Sequence, residues 1–379
     1  EGAVGAAGAV GTSGATPGAG AGPSSLASLT LGPTLAAALL EASARGASDL
    51  FVSTGRAPFL RVSGALEALP GVTTAEAELR ALLAAATRTQ PTHASVHGSA
   101  DFAVEVEGVR ARCNVFSHSQ GAGLAARLLP EEPPTLAELG LPPGVASALS
   151  HREGLVLVCG PTGSGKTTTL ASLVRELDSQ RAAHILTLED PVEYRLRARR
   201  GLIHQRELGR DFATFAGGLR AALRESPDVI VLGELRDAES VAAALTAAET
   251  GHLVLATMHA PGAAGAVDRV LDIFDERRQR QVRTQLASAL RLVVTQLLLP
   301  RQGGGRVAAA EVVPVTSAVA NIIRKGELQT LATAIQSGRE AGMVPLERSL
   351  AHLVQRGLIS ETDARRAAGD ALLLRAQLT

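Results

Sequence analysis

Tryptophan is absent from the 379 residues, tyrosine occurs once, as Tyr194, and lysine only twice, as Lys166 and Lys325. So few aromatics leave no platform on which bases could stack, and a formal net charge of zero gives no global field toward phosphate backbones or acidic lipid. Nucleic acid is therefore not an expected partner. The two cysteines, Cys113 and Cys159, lie far apart and form no metal-ligand spacing, which points to a reducing compartment. No apolar run reaches the roughly eighteen residues of a membrane span, and no charged segment followed by an apolar one opens the chain. Neither a membrane span nor a signal peptide is expected. The scarcity of lysine is informative in itself, because 37 residues are Lys or Arg. A chain that uses arginine almost everywhere keeps lysine where a compact ammonium is wanted.

Hydrophobic residues make up 46% of the chain, enough to bury cores across the two or three domains its length suggests. Residues 1–30 are almost all Gly, Ala, Ser, Thr and Pro and read as a tail that cannot bury apolar surface. Residues 31–129 read as a small α+β domain. Helices are expected over 35–44 and 74–87, the second capped by Thr74. Strands are expected over 49–52, 58–62, 102–106, 109–115 and 124–129, with a hairpin at Glu107-Gly108 and an antiparallel sheet. His93 and His97 stand four apart without the acid of a zinc-protease helix and read as a solvated or packed pair. Residues 130–144 form a Pro-rich linker, and 145–379 a nucleotide domain with a mostly helical C-terminal part. There, helices are expected over 312–325, 346–355 and 361–377, broken by a loop at Gly303-Gly304-Gly305. The basic run Arg277-Arg278-Gln279-Arg280 reads as a solvated or subunit-facing surface.

One stretch organises the rest. Gly160-Pro161-Thr162-Gly163-Ser164-Gly165-Lys166-Thr167 fits G-x-x-x-x-G-K-[ST] at every position. The apolar run 155–159 before it reads as a buried strand and residues 168–174 as a helix, the context the motif needs. Glycines let backbone N–H groups turn in around phosphate oxygens, and the helix N-terminus adds its positive dipole end. ATP with Mg²⁺ is the expected ligand, held by residues 160–168. Lys166 is assigned to the β- and γ-phosphates and Thr167 to the metal. Three further strands end in chemistry. His184–Leu188 leads to Glu189-Asp190, Val229–Leu232 to Gly233-Glu234, and Leu253–Thr257 to Met258-His259. Acids at the C-terminal ends of parallel strands lie over the ligand crevice. Glu234 is the expected base and metal ligand, alone or with Glu189, and His259 stands where it could sense the γ-phosphate.

These stretches resemble, in order and spacing, the Walker A, Asp box, Walker B and His box of the bacterial secretion and type IV pilus motor ATPases, and the resemblance implies a nucleotide-binding role for His252 inside the His-box segment 246–252. Residues 46–50 and 112–116 resemble the PAS-like N-terminal domain of the retraction branch, and 318–325 its AIRNLIRE motif, with Ala320 in place of an Arg and Lys325 in place of a Glu. Ser226 stands where an Asp is common. The resemblance implies an α/β, RecA-like core with a PAS-like α+β domain and C-terminal helices. It further implies a homohexameric, cytoplasmic ATP hydrolase at the inner-membrane face that retracts type IV pili through a platform protein. Arg112 and Arg127 match the arginines that stabilise charge on the γ-phosphate. The altered 318–325 segment keeps open a second role, an accessory subunit acting with a paralogous motor.

Overall fold

The structure, a computed structural model, describes residues 29–62, 64–71, 76–89 and 98–378. The tail up to residue 28, the expected cap Thr74 and the His93/His97 pair lie outside these residues. The chain begins with helix α1 (Pro33–Ala44) and strands β1 (Asp49–Ser53), β2 (Phe59–Val62) and β3 (Ala65–Ala68). Helix α2 (Glu76–Thr89) precedes β4 (Ser99–Val106), β5 (Val109–His118) and β6 (Gly121–Leu129). The six strands form one antiparallel sheet in the order β3-β2-β1-β6-β5-β4. Its β4–β5 hairpin turns at Glu107-Gly108, both at positive φ. Strand alternation sends Phe102, Val104, Ala111, Cys113 and Val115 into a core shared with Leu35, Leu39 and Leu79 of the helices. Arg110, Arg112 and Asn114 are left on the opposite face. Strand β3, exposed at every position, carries no alternation that would have revealed it.

The stretch expected as a plain linker contains a short helix, α3 (Leu136–Leu139). It is closed by a capping box in which Thr135 and Glu138 satisfy each other's backbone N–H groups. A 3₁₀ turn over Pro143–Ser150 follows.

The second sheet is built by β7 (Gly154–Cys159), α4 (Lys166–Gln180), β8 (His184–Glu189), β9 (Leu202–Glu207), α5 (Phe215–Ala222), β10 (Val229–Leu232), α6 (Ala238–Glu249) and β11 (Leu253–Met258). It continues through α7 (Ala263–Asp272), α8 (Glu276–Ala289), β12 (Leu290–Pro300) and β13 (Arg306–Pro314). Strand order is β13-β12-β7-β11-β10-β8-β9, parallel except for the β12–β13 pair. Strands β7, β10 and β11 are buried at every position, as continuous apolar runs between two helical layers must be. Leu170, Leu173, Val174 and Leu177 of α4 cover one face against Val156, Val158 and Val231. Leu219, Val241, Leu245, Val267 and Leu286 cover the other against Leu155, Leu186 and Ile230. Helices α9 (Ser317–Lys325), α10 (Leu331–Ser337), α11 (Leu346–Gln355), α12 (Glu361–Ala367) and α13 (Ala371–Leu378) complete the chain. No helix among the described residues is long and apolar enough to cross a membrane.

The C-terminal third departs from its expected form. Residues 290–314 are a long antiparallel hairpin, and Gly303-Gly304-Gly305 is its turn, with all three glycines at positive φ, not a break between helices. Helix α8 runs into β12 with no Gly or Pro between them, so the sequence gives no boundary there. Residues 312–314 belong to β13, and α9 starts only where Thr316 caps it. The expected helix over 361–377 is two helices, because Ala368, Gly369 and Asp370 interrupt it and the Asp370 carboxylate accepts from the N–H groups of Leu372 and Leu373.

Candidate functional site

Because β7, β8, β10 and β11 run parallel, their C-terminal ends share one edge. In register, Cys159 sits beside Met258, and Leu232 beside Ala256 and Leu188. That edge receives the glycine loop after β7, Glu189 at the end of β8, Gly233-Glu234 after β10 and His259 after β11. Gly160, Gly163 and Gly165 adopt positive φ. At Gly160 a Cβ would also lie 2.3 Å from the Gln296 carbonyl oxygen and 2.7 Å from Ser164 Oγ, so no other residue fits.

Helix α4 begins at Lys166 with no side-chain cap from Gly165. Its first N–H groups are therefore available to an anion at the helix N-terminus. Ser164 Oγ is buried without a hydrogen-bond partner. Lys166, itself buried, donates to the carbonyls of Gly160 and Pro161, each at 2.9 Å. Burial lowers its pKa from the ordinary lysine value, while the Glu234 carboxylate pushes the other way. An uncapped helix start, an unpartnered buried hydroxyl and a buried ammonium make a cradle that suits phosphate oxygens. Thr167, in the first turn of α4, supplies a hydroxyl and Glu234, just after β10, a carboxylate, oxygen donors of the kind that suit Mg²⁺.

The two acids differ. The Glu234 carboxylate receives Arg236 on Oε2 at 2.7 Å and faces His259 Nε2 from Oε1 at 3.3 Å, so the structure brings Glu234, His259 and the field of Lys166 together. Gly233 occupies a tight position, its N–H donating to the Leu188 carbonyl and its own carbonyl accepting from Thr257 Oγ1. Glu189 accepts on Oε1 from Thr187 Oγ1 at 2.7 Å and from Gln205 Nε2 at 2.9 Å. Burial raises its pKa, and those hydrogen bonds only partly offset the effect.

The loop after Glu189 is held from two sides. Arg110 of β5 donates to the Val192 and Glu193 carbonyls at 2.8 and 3.2 Å, and Arg195 forms a two-pronged pair with Glu105 of β4. From the other side, Gln205 Nε2 donates to the Tyr194 carbonyl, and the Tyr194 hydroxyl lies 3.0 Å from Thr168 Oγ1 in the first turn of α4.

Arg112 and Arg127 are direct cross-strand partners on β5 and β6. Arg127 pairs with Asp49 at 3.0 Å. Among the described residues neither arginine bonds to the glycine loop, Glu234 or His259, so the chain does not bring them to its own phosphate site. His252 is a correction. It precedes β11, and since β11 parallels β7 it lies beside the start of β7, where its carbonyl accepts from Gly154 N–H. Its ring reaches the Ala247 carbonyl at 3.1 Å. The length of a six-residue strand, about 20 Å, separates it from the phosphate edge. Among the altered motif positions, Lys325 is exposed in the last turn of α9 and Ser226 holds a positive φ of 53°.

Sequence reasoning missed Gln296, Gln205 and Arg236. Gln296 alone left a mark, as a lone amide inside the apolar run of β12.

The family described as "Type II/IV secretion system protein" matches residues 28–361. The type IV pilus retraction ATPase PilT of Pseudomonas aeruginosa is 42% identical over 326 residues, covering 86% of this chain and 95% of the relative. The uncharacterized protein YggR of Escherichia coli K12 is 51% identical over 262 residues, covering 69% and 80%. The crystal structure of the pilus retraction motor PilT with bound ADP superposes with a TM-score of 0.81 at 39% identity, covering 90% of this chain and 99% of that one. The Legionella pneumophila ATPase DotB reaches 0.76 at 29% identity, covering 88% and 95%. The α/β core is RecA-like, as the motifs implied.

Proposed function

The chain belongs to the type II/IV secretion system protein family, and from that premise we propose that it is a cytoplasmic ATP hydrolase whose turnover drives type IV pilus retraction. The observation that carries the reading is the convergence of Glu234, His259 and Lys166 beside an uncapped helix start, in a chain similar to PilT over most of its length. We read residues 31–129 as the N-terminal domain, 130–144 as the connection and 145–379 as the motor domain, assembled as a homohexamer at the inner-membrane face against a platform protein.

In this reading the backbone N–H groups of 160–168 and the Lys166 ammonium bind the phosphates. Glu234 orients and deprotonates the attacking water, with Arg236 and His259 fixing its two oxygens. Glu189 supports the same edge. Mg²⁺, when bound, neutralises phosphate charge, and Thr167 and Glu234 would hold it. Arg112 and Arg127 come from the neighbouring subunit to the charge developing on the γ-phosphate, an effect worth on the order of a thousandfold in rate. A second reading, an accessory subunit with weak turnover, is favoured by Ala320 and Lys325 alone.

Glu234→Gln keeps the shape and removes the basicity. It should bind ATP as the wild type does and lose turnover and pilus retraction together. Near-normal turnover would move the base to Glu189. Unimpaired retraction in a strain lacking the gene would remove the pilus assignment. An isolated wild type that hydrolyses only when mixed with another motor would select the accessory reading.

A further inference from the structure

Gln296 lies in β12, 1% exposed, in a strand whose other residues are Leu and Val except for Arg291, Thr295 and Pro300. A primary amide in such a place must find partners for its N–H and C=O groups or destabilise the fold. It finds them on the phosphate loop. Nε2 donates to the Ser164 carbonyl at 2.6 Å, and Oε1 accepts from Thr169 Oγ1 at 2.8 Å. The first partner lies inside the glycine loop and the second in the first turn of α4. The amide therefore spans the junction at which the loop becomes a helix. The Gln296 backbone carbonyl is also what Gly160 must clear, and a Cβ on Gly165 would lie 3.1 Å from Nε2. Two of the three motif glycines thus owe their smallness partly to this residue.

We propose that Gln296 is a positioning residue for nucleotide binding, which sets the curvature of the phosphate loop by fixing the Ser164 peptide. A carbonyl tied down by Nε2 turns its loop away from that oxygen. The N–H groups on either side are then held toward the phosphates before nucleotide arrives. Such preorganisation acts on affinity, because the bound geometry costs no ordering at the moment of binding. The effect is directional: Thr169 Oγ1, as the only donor to Oε1 among the described residues, fixes which end of the amide faces Ser164. The inference rests on the nucleotide-binding reading of the loop.

The test measures ADP affinity by calorimetry and ATP turnover for the wild type, Thr169→Val, Thr169→Ser, Gln296→Leu and the Thr169→Val/Gln296→Leu pair. Thr169→Val removes one hydroxyl with little change of shape and is the variant that secures folding. It leaves Gln296 Oε1 without a donor, so the nucleotide-free melting temperature should fall by a few degrees while unfolding stays cooperative; ADP binding should weaken about tenfold and KM should rise by more than kcat falls. Thr169→Ser, which keeps the hydroxyl, should restore affinity. Gln296→Leu should weaken ADP binding further, and the pair should lose no more than Gln296→Leu alone, since both act through one amide. Wild-type affinity in folded Thr169→Val and Gln296→Leu would overturn the proposal. So would strictly additive losses, or a fall in kcat without a change in KM. Absence of ADP binding in the wild type would overturn the nucleotide-site reading instead.

Discussion

A carboxyl group that gives up solvent for one hydroxyl and one amide titrates differently from a glutamate in water, and Glu189 is such a group. Burial is the main cause and raises its pKa, so the folded state holds this proton to higher pH than the unfolded chain does. The sign for stability follows. The favourable contribution of Glu189 is complete below the ordinary glutamate value and is lost as pH rises through the raised one. Glu189→Gln has no proton to lose. The melting temperature of that variant relative to wild type should therefore climb from acid toward neutral pH. A difference that stays flat with pH would show that Glu189 is not perturbed. The burial of Glu189 was not legible in the sequence, where it follows an apolar strand just as Glu234 does. It arises because β9 pairs with β8 and sets Gln205 beside the carboxyl group. The phosphate loop, by contrast, was legible in its motif, because its three glycines take positive φ, which glycine adopts without strain, and Gly160 and Gly165 also lie close against Gln296.

Among elements, those with periodicity or punctuation were readable. The β4–β5 hairpin shows clean alternation around Glu107-Gly108, and β7, β10 and β11 are short apolar runs ended by glycine or histidine. The β12–β13 hairpin was hidden because a helix enters it without a break. The edge strand β9 was hidden because its residues are half exposed and polar. The loop 190–195 shows what such reading cannot supply, since its conformation depends on Arg110, which lies 82 residues away from Val192. Arg110→Met would keep the aliphatic stem and lose both bonds to the loop carbonyls. Losing hydrogen bonds of this kind costs about 1–3 kcal/mol locally. Amide hydrogen exchange at Val192 and Leu196, whose N–H groups donate to Glu207 and Gln205, should rise about tenfold or more, with exchange in β7 and β11 unchanged. Unaltered exchange in the loop would mean that Gln205, Thr168 and the Arg195–Glu105 pair hold it without Arg110.

For the whole molecule the question is where the arginines act. Arg112 stands on the sheet face that also presents Arg110, yet among the described residues of one chain it makes no bond to the phosphate edge. If Arg112 completes the site of the neighbouring subunit, Arg112→Ala should bind nucleotide almost as the wild type does and hydrolyse it poorly. The glycine loop remains intact while the cation is missing when charge spreads over the γ-phosphate. Lys166→Ala should fail for the opposite reason, having a sound arginine and a damaged phosphate cradle. Neither parent then turns over. A mixed ring contains some interfaces that join an intact Lys166 to an intact Arg112, so turnover should return and should peak near equal mixing. Two inactive parents giving an active mixture cannot result from misfolding of either one. Inactivity in rings shown to be mixed would place Arg112 among structural residues, or require that all sites in a ring fire together. Separate mixing of Lys166→Ala with wild type distinguishes these two outcomes. A ring that needs every site loses turnover steeply as the variant is added, whereas independent sites lose it in proportion.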